Sequence, residues 1–186
     1  MLVSKRRYLL YCLHCMHFLI FGWERLVRIL QLTMYMNQLL PIQSDDIAGA
    51  RARFDVASGI YDATASYDEQ AMLVTIARWE TGFQPRYVYC SKRSSVGASG
   101  PFQVIPRSVA ERDLLCKDMM LSAKIALQRV SESRKFCTHL PAREQLAQYA
   151  TGRCDELGKR MSRLRWSTNA EMMSKISKCY TTSITD

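Results

Sequence analysis

Apolar residues in this chain recur mostly at helical spacing, and the pattern is interrupted by a few prolines, glycines and short polar stretches. Residues 8–23 form an almost unbroken apolar run. His14, His17, Glu24, Arg28, Gln31 and Gln38 fall at helical spacing through and beyond it, which predicts one long amphipathic helix over about residues 5–40. Pro41 closes that helix, and Pro41-Ile42-Gln43-Ser44 reads as a linker. A second helix follows, capped by Ser44 or Asp45, with Ile47, Ala50, Phe54 and Ala57 on one face. Gly59 and the polar stretch from Asp62 to Ser66 break its pattern.

A third helix begins near Tyr67, with Asp68 and Glu69 in the first turn, where the helix dipole favours negative charge. Met72, Ile76 and Trp79 share one face, and Leu73, Ala77 and Glu80 the adjoining one. Gly82 suits the left-handed position past the helix end. Downstream, a polar loop leads into the small-residue turn Gly97-Ala98-Ser99-Gly100. Ser108-Val109-Ala110-Glu111 reads as a capping box, Asp118 opens another helix, and Pro141 suits the first turn of a third. Thr168-Asn169-Ala170-Glu171 reads as a second capping box opening a terminal helix. Before it, Leu157, Met161 and Leu164 form an inner face, with Arg160, Arg163 and Arg165 outside. The expected organisation is residues 1–43 as an N-terminal apolar helix with its linker, and residues 44–186 as one mainly helical domain.

Charge narrows the partners without choosing one. Lys plus Arg number 26 against 17 Asp plus Glu, giving a net charge of +9 and a sequence pI near 9.4. Such a balance suits nucleic acid, anionic lipid or cell-wall polymers. Lys5-Arg6-Arg7 ahead of the apolar run resembles the start of a signal peptide or signal anchor, although no small-x-small cleavage pattern precedes Glu24-Arg25. The expectation for residues 5–40 is therefore membrane targeting or anchoring, with packing on a partner as the alternative. Cys12, His14, Cys15 and His17 crowd into too short a stretch to surround a zinc ion, so no metal or cofactor is expected. The seven cysteines are an odd count. In an oxidising compartment disulfide pairing among Cys116, Cys137 and Cys154 is expected; in a reducing one, buried thiols.

The residue that stands out chemically is Glu80. A carboxylate in the last turn of a helix faces the negative end of the dipole, which disfavours its charged form. Partial desolvation acts in the same direction. A glutamic acid kept protonated near neutral pH can donate a proton to a leaving oxygen. The bland alternative is a solvated surface glutamate.

The motifs around Glu80 weigh against that alternative. Trp79-Glu80-Thr81-Gly82-Phe83 resembles the Glu-Ser-Gly-Phe segment of the transglycosylase SLT, lysozyme-like family, which contains that family's single catalytic glutamate. Gly97-Ala98-Ser99-Gly100-Pro101-Phe102-Gln103 resembles its Gly-Ala-x-Gly-x-Met/Phe-Gln motif, and Val104-Ile105-Pro106-Arg107-Ser108 continues in the family's manner. Ala147-Gln148-Tyr149-Ala150-Thr151-Gly152 is similar to its third motif, Ala-Tyr-Asn-x-Gly. The three occur in the family's order over about residues 67–165. Two features depart from the pattern: Ala150 stands where the family has asparagine, and the segment between Glu80 and Gln103 is longer, with the extra residues in 86–95.

The resemblance implies a mainly helical, lysozyme-like domain, of an α+β superfamily with little or no sheet. It implies Glu80 as catalyst and Gly97, Ala98, Ser99, Gly100, Phe102, Gln103 and Tyr149 as a glycan-binding wall. The implied activity is lytic transglycosylation of the peptidoglycan glycan strand, with one carboxylate and no cofactor. Such an enzyme belongs in the bacterial envelope, at the periplasmic side or inner membrane beside a secretion or conjugation apparatus, or in a bacteriophage particle. A water-using lysozyme and a non-catalytic wall-binding or structural component are the rival expectations. Nucleic-acid binding is the weakest reading of the basic surface.

Overall fold

Seven consecutive residues, Ala71 to Ala77, are buried on every side, so the helix leading to Glu80 runs through the centre of the molecule. The computed structural model describes the backbone of residues 23–41, 46–92 and 94–182, with side chains as far as Met172. Within these, α1 covers 23–39, α2 Ile47–Ala63, α3 Tyr67–Thr81, α4 Pro85–Val88, α5 Val109–Lys117, α6 Met119–Phe136, α7 Ala147–Thr151 and α8 Glu156–Thr182; a 3-10 turn spans Ala142–Glu144. The only β-type pairing among the described residues is an isolated antiparallel bridge between Ser99 and Val104. The fold is mainly helical.

α3 packs against α2, α6 and α8, and α6 also packs against α2, α5 and α7. One continuous core results, joining Val56 and Ile60 of α2, Leu73 and Ile76 of α3, Phe83, Phe102, Leu115, Ala126 and Leu146. The described part of α1 belongs to the same core through Ile29, Leu32, Tyr35, Met36 and Leu39. Its other face leaves Trp23, Leu26, Leu30 and Met34 exposed. No helix among the described residues is long and apolar enough to cross a membrane. Most of the predicted apolar run, with Cys12, His14, Cys15 and His17, lies outside the described residues.

Several sequence expectations about local structure require correction. α2 is capped by Asp46, whose carboxylate accepts from the Gly49 N–H at 2.8 Å, rather than by Ser44 or Asp45. It also continues through Gly59 to Ala63. Gly59 is retained in the helix because a Cβ there would lie 2.5 Å from Met119, so the glycine allows α2 and α6 to cross closely. Thr168 does not open a helix. α8 is continuous from Glu156 to Thr182, and the Thr168 hydroxyl donates to the Leu164 carbonyl at 3.2 Å. Pro141 caps the 3-10 turn, and Tyr149 rides on the separate short α7.

The rotation of α8 also differs from expectation. Leu157 and Leu164 are exposed, whereas Gly158, Ser162, Arg165, Thr168 and Met172 face inward. Small residues at this face let α8 approach α7: a Cβ on Gly158 would lie 2.5 Å from the Arg153 carbonyl and 3.0 Å from Ala147. Close approach has outweighed the burial of two leucines.

Two disulfides staple the fold, Cys90–Cys116 and Cys137–Cys154. The first brings in Cys90, a partner absent from the expected set of Cys116, Cys137 and Cys154. Cys90 lies in the long segment between the first two motifs, and its bridge fastens that segment to the end of α5.

Candidate active site

Glu80 occupies the last turn of α3, and Gly82 ends the helix in the left-handed conformation at φ +57°. Thr81 fixes this end to the next motif. Its buried hydroxyl lies 2.9 Å from the Ala77 carbonyl and 3.2 Å from the Pro101 carbonyl, and it accepts from the Phe83 N–H at 3.2 Å. The second motif folds into a tight hairpin. Ser99 and Val104 exchange backbone hydrogen bonds of 2.9 and 3.1 Å around the turn Gly100-Pro101-Phe102-Gln103. Proline suits the second position of such a turn.

A cleft of about 600 Å³ opens in front of Glu80. The hairpin contributes Ala98, Gln103, Val104 and Ile105 to its wall, α6 contributes Arg129 and Glu132, and α7 contributes Gln148, Tyr149, Ala150 and Thr151. Gly152, just past α7, and Ser94 and Val96 from the long inter-motif segment complete it. The described part of that segment is held at several points: Tyr89 donates to Asp55 of α2 at 2.7 Å, Cys90 is bridged to Cys116, and Ser94 and Val96 reach the cleft.

The expected site residues thus fall into two groups. Glu80, Ala98, Gln103 and Tyr149 line the cleft. Ser99, Gly100 and Phe102 are buried behind its surface. Gly97 is exposed beside the cleft, with nothing within 4 Å of where a Cβ would stand. Gly100 presses inward instead, where a Cβ would meet the Leu115 carbonyl at 2.4 Å. Its close approach serves the protein's own packing. Gln103, at φ +48°, uses its side-chain amide to donate to the Gly100 carbonyl at 2.9 Å, which stiffens the turn. The Tyr149 hydroxyl donates to the Phe102 carbonyl at 2.8 Å, tying α7 to the hairpin. Burial, and after it the negative charge of Glu80, push the Tyr149 phenol well above its ordinary pKa, so it stays a donor.

Arg165 is the main addition to the site, and it overturns its expected placement outside α8. It is 3% exposed and forms an ion pair and hydrogen bond through Nη2 to Glu80 Oε1. Nη1 donates to the Met161 carbonyl at 3.3 Å, and Nε has no hydrogen-bond partner among the described residues. Glu80 keeps 20% of its side chain exposed, toward the cleft. Burial pushes its pKa up; the charge of Arg165 and its hydrogen bond pull it back, and the net direction is upward. A sequence signal for Arg165 existed in its i, i+3, i+7 spacing with Thr168 and Met172, but long basic side chains usually face water.

Glu132 brings a second carboxylate to the cleft. Desolvation pushes it up, but hydrogen bonds from Arg107, Arg129 and Gln128 outweigh that and hold it below the usual carboxylate range. Arg129 bridges it to Glu111, with contacts of 3.1 Å to each. Set against protein-family models, curated proteins and solved structures, the chain matches none of them significantly.

Proposed function

We propose that this chain is a peptidoglycan lytic transglycosylase with a lysozyme-like helical domain and Glu80 as its acid and base. The observation that carries the reading is the setting of Glu80. A carboxyl group raised by burial opens onto a cleft whose walls come from the hairpin and from Tyr149. These three segments are the ones that resemble the family's motifs, although they lie far apart in the chain.

The chemistry follows from one carboxyl group. Glu80 in its acid form protonates the glycosidic oxygen between N-acetylmuramic acid and N-acetylglucosamine, and the bond from that oxygen to the muramic C1 breaks. The Glu80 carboxylate then takes the proton from the C6 hydroxyl of the same muramic residue as its oxygen bonds to C1. The products are an anhydro-muramic end and a free N-acetylglucosamine hydroxyl, and Glu80 recovers its proton. No water is consumed, so no second carboxylate is needed to position one.

A second reading is favoured by Glu132. Two carboxyl groups in one cleft, one held up by burial and one held down by arginines, form the arrangement of an acid and an ionised partner. A hydrolytic lysozyme would use Glu132 to assist water. Digestion of purified peptidoglycan by wild type, Glu80→Gln and Glu132→Gln, with products weighed by mass spectrometry, separates the readings. Lytic transglycosylation predicts anhydro ends from wild type and from Glu132→Gln, and no release by Glu80→Gln. Reducing ends that depend on Glu132 favour hydrolysis; binding to sacculi without turnover favours a wall-binding role. Release by Glu80→Gln at the wild-type rate removes Glu80 as catalyst. The glutamine retains an oxygen for Arg165, and circular dichroism checks that the variant is folded.

The same reading sets the surroundings. The substrate partner is the glycan strand, in the bacterial envelope or at a phage particle during entry or lysis. The exposed Trp23, Leu26, Leu30 and Met34 extend the apolar run of residues 8–22, which supports membrane contact through residues 5–40, or contact with a secretion, conjugation or phage assembly. The net charge of +9 suits an anionic wall polymer.

A further inference from the structure

We propose that Arg165 is the positioning residue of the Glu80 site, holding the carboxyl group against the cleft and stabilising the carboxylate it becomes once its proton has left. This rests on the reading of Glu80 as proton donor. Arg165 forms no part of the cleft wall and is almost wholly buried, so it acts on the substrate only through Glu80.

Three observations carry it. First, the pair spans elements far apart in sequence, the end of α3 and the middle of α8, so it is made by the tertiary fold. Second, it is a costly way to join two helices. A buried ion pair commonly does no better than a well-packed apolar pair, and Arg165 Nε, which has no partner among the described residues, adds a desolvation cost. An apolar side chain on the same inward stripe as Met172 would avoid both. Third, the pair stands at the negative end of the α3 dipole, where a carboxylate is least supported by its own helix. A fixed cation there replaces the missing support without reorganising during the reaction.

Among the described residues, the charged and titratable groups around Glu80 are few. Arg165 faces it from α8, Tyr149 from α7, and Arg129 with Glu132 share the cleft from α6. The hairpin presents the uncharged Gln103, and Arg78 of α3 itself turns toward Thr168 at 3.4 Å. Arg129 is already shared between Glu111 and Glu132. Arg165 is the cation in direct contact with Glu80. Burial pushes Glu80 toward its protonated form, and Arg165 pulls the other way, so the proton is easier to give up than burial alone would leave it.

The test uses the full chain as wild type, Arg165→Met and Arg165→Lys, labelled with carboxyl-¹³C glutamate. The Glu80 resonance is identified by its loss in Glu80→Gln. Its titration is followed alongside kcat and KM for peptidoglycan across pH. In Arg165→Met the Glu80 midpoint should rise by about one pH unit or more, which is about tenfold in proton affinity. The alkaline limb of kcat should move up with it, and kcat on the plateau should fall about tenfold or more with KM little changed. Arg165→Lys, which keeps the charge but loses the planar fork, should fall between the two. An unmoved Glu80 midpoint in Arg165→Met overturns the proposal, as does an unchanged kcat profile. If Arg165→Met does not fold, Arg165→Lys decides: its Glu80 midpoint must lie above wild type. If no protein releases fragments, the catalytic reading fails, whereas the titration still shows whether Arg165 governs Glu80.

Discussion

Gly97 and Gly100 sit three residues apart in the second motif with nearly the same φ, +79° and +75°, yet replacing them with alanine should have unequal effects. An L-residue forced into this region costs about 1–2 kcal/mol, and that cost is common to both positions. The gain from a less flexible unfolded chain, about 0.4–1 kcal/mol, is common as well. The difference lies in the space available. A Cβ on Gly97 meets nothing within 4 Å, whereas one on Gly100 stands 2.4 Å from the Leu115 carbonyl oxygen. That oxygen is poorly able to retreat. Leu115 precedes Cys116, which is bridged to Cys90, and the Cys90 sulfur in turn accepts from the Gly100 N–H at 3.2 Å. Overpacking at a rigid contact costs about 1–3 kcal/mol, so Gly100→Ala should be less stable than Gly97→Ala by that amount. In a chain of 186 residues this separates the two thermal midpoints by roughly 2–12 °C. Far-ultraviolet circular dichroism melts of both variants measure it. Reduction of Cys90–Cys116 should narrow the gap, because the two sides of the contact can then part. Equal midpoints for the two variants would refute the claim that Gly100 is required by packing against α5.

Removing the Thr81 hydroxyl while keeping its shape, as in Thr81→Val, leaves the Phe83 N–H and the Pro101 carbonyl without that partner; a loss of about 1–3 kcal/mol is expected in chemical denaturation, with a fall in kcat as the hairpin loosens from Glu80. The Cys90–Cys116 bridge spans 26 residues, so loop closure predicts a loss of about 3.5 kcal/mol when both cysteines become serine, measured as a lower denaturant midpoint. The pH dependence has a defined sign. Because the folded state raises the Glu80 pKa, Glu80 contributes stability that is fully present below its unfolded value of about 4.3 and is lost as pH rises through the folded one. The thermal midpoint of wild type minus that of Glu80→Gln should therefore decrease on going from acid to alkaline pH; an increase would contradict the upward shift.

Much of the local structure was legible in the sequence because it depends on neighbours in the chain. The caps at Ser108 and Asp118, the acidic first turn of α3 and the left-handed Gly82 are all short-range effects, and each stands where the pattern placed it. The Ser108 box is off by one on its return bond, since the Glu111 carboxylate accepts from the Arg107 N–H. In the long helix α8, a Thr-x-x-Glu pattern is compatible with a helix interior as well as with a helix start, and only its partners tell the two apart. Thr168 is held there by Trp79 Nε1–H, which donates to its hydroxyl at 3.1 Å across the α3–α8 contact.

The sequence by itself determined a mainly helical chain, the three segments that meet at the candidate site, and Glu80 as the residue around which they gather. Helical periodicity and short motifs carry that information, because both are set by spacing along one chain segment. Only the tertiary structure decided what surrounds Glu80. It turned Gly100 toward Leu115 rather than the cleft, brought Glu132 to the cleft wall, joined Cys90 to Cys116 and buried Arg165 against the carboxylate. Each depends on the rotation and approach of helices distant in sequence, which burial and close packing of the whole molecule settle together.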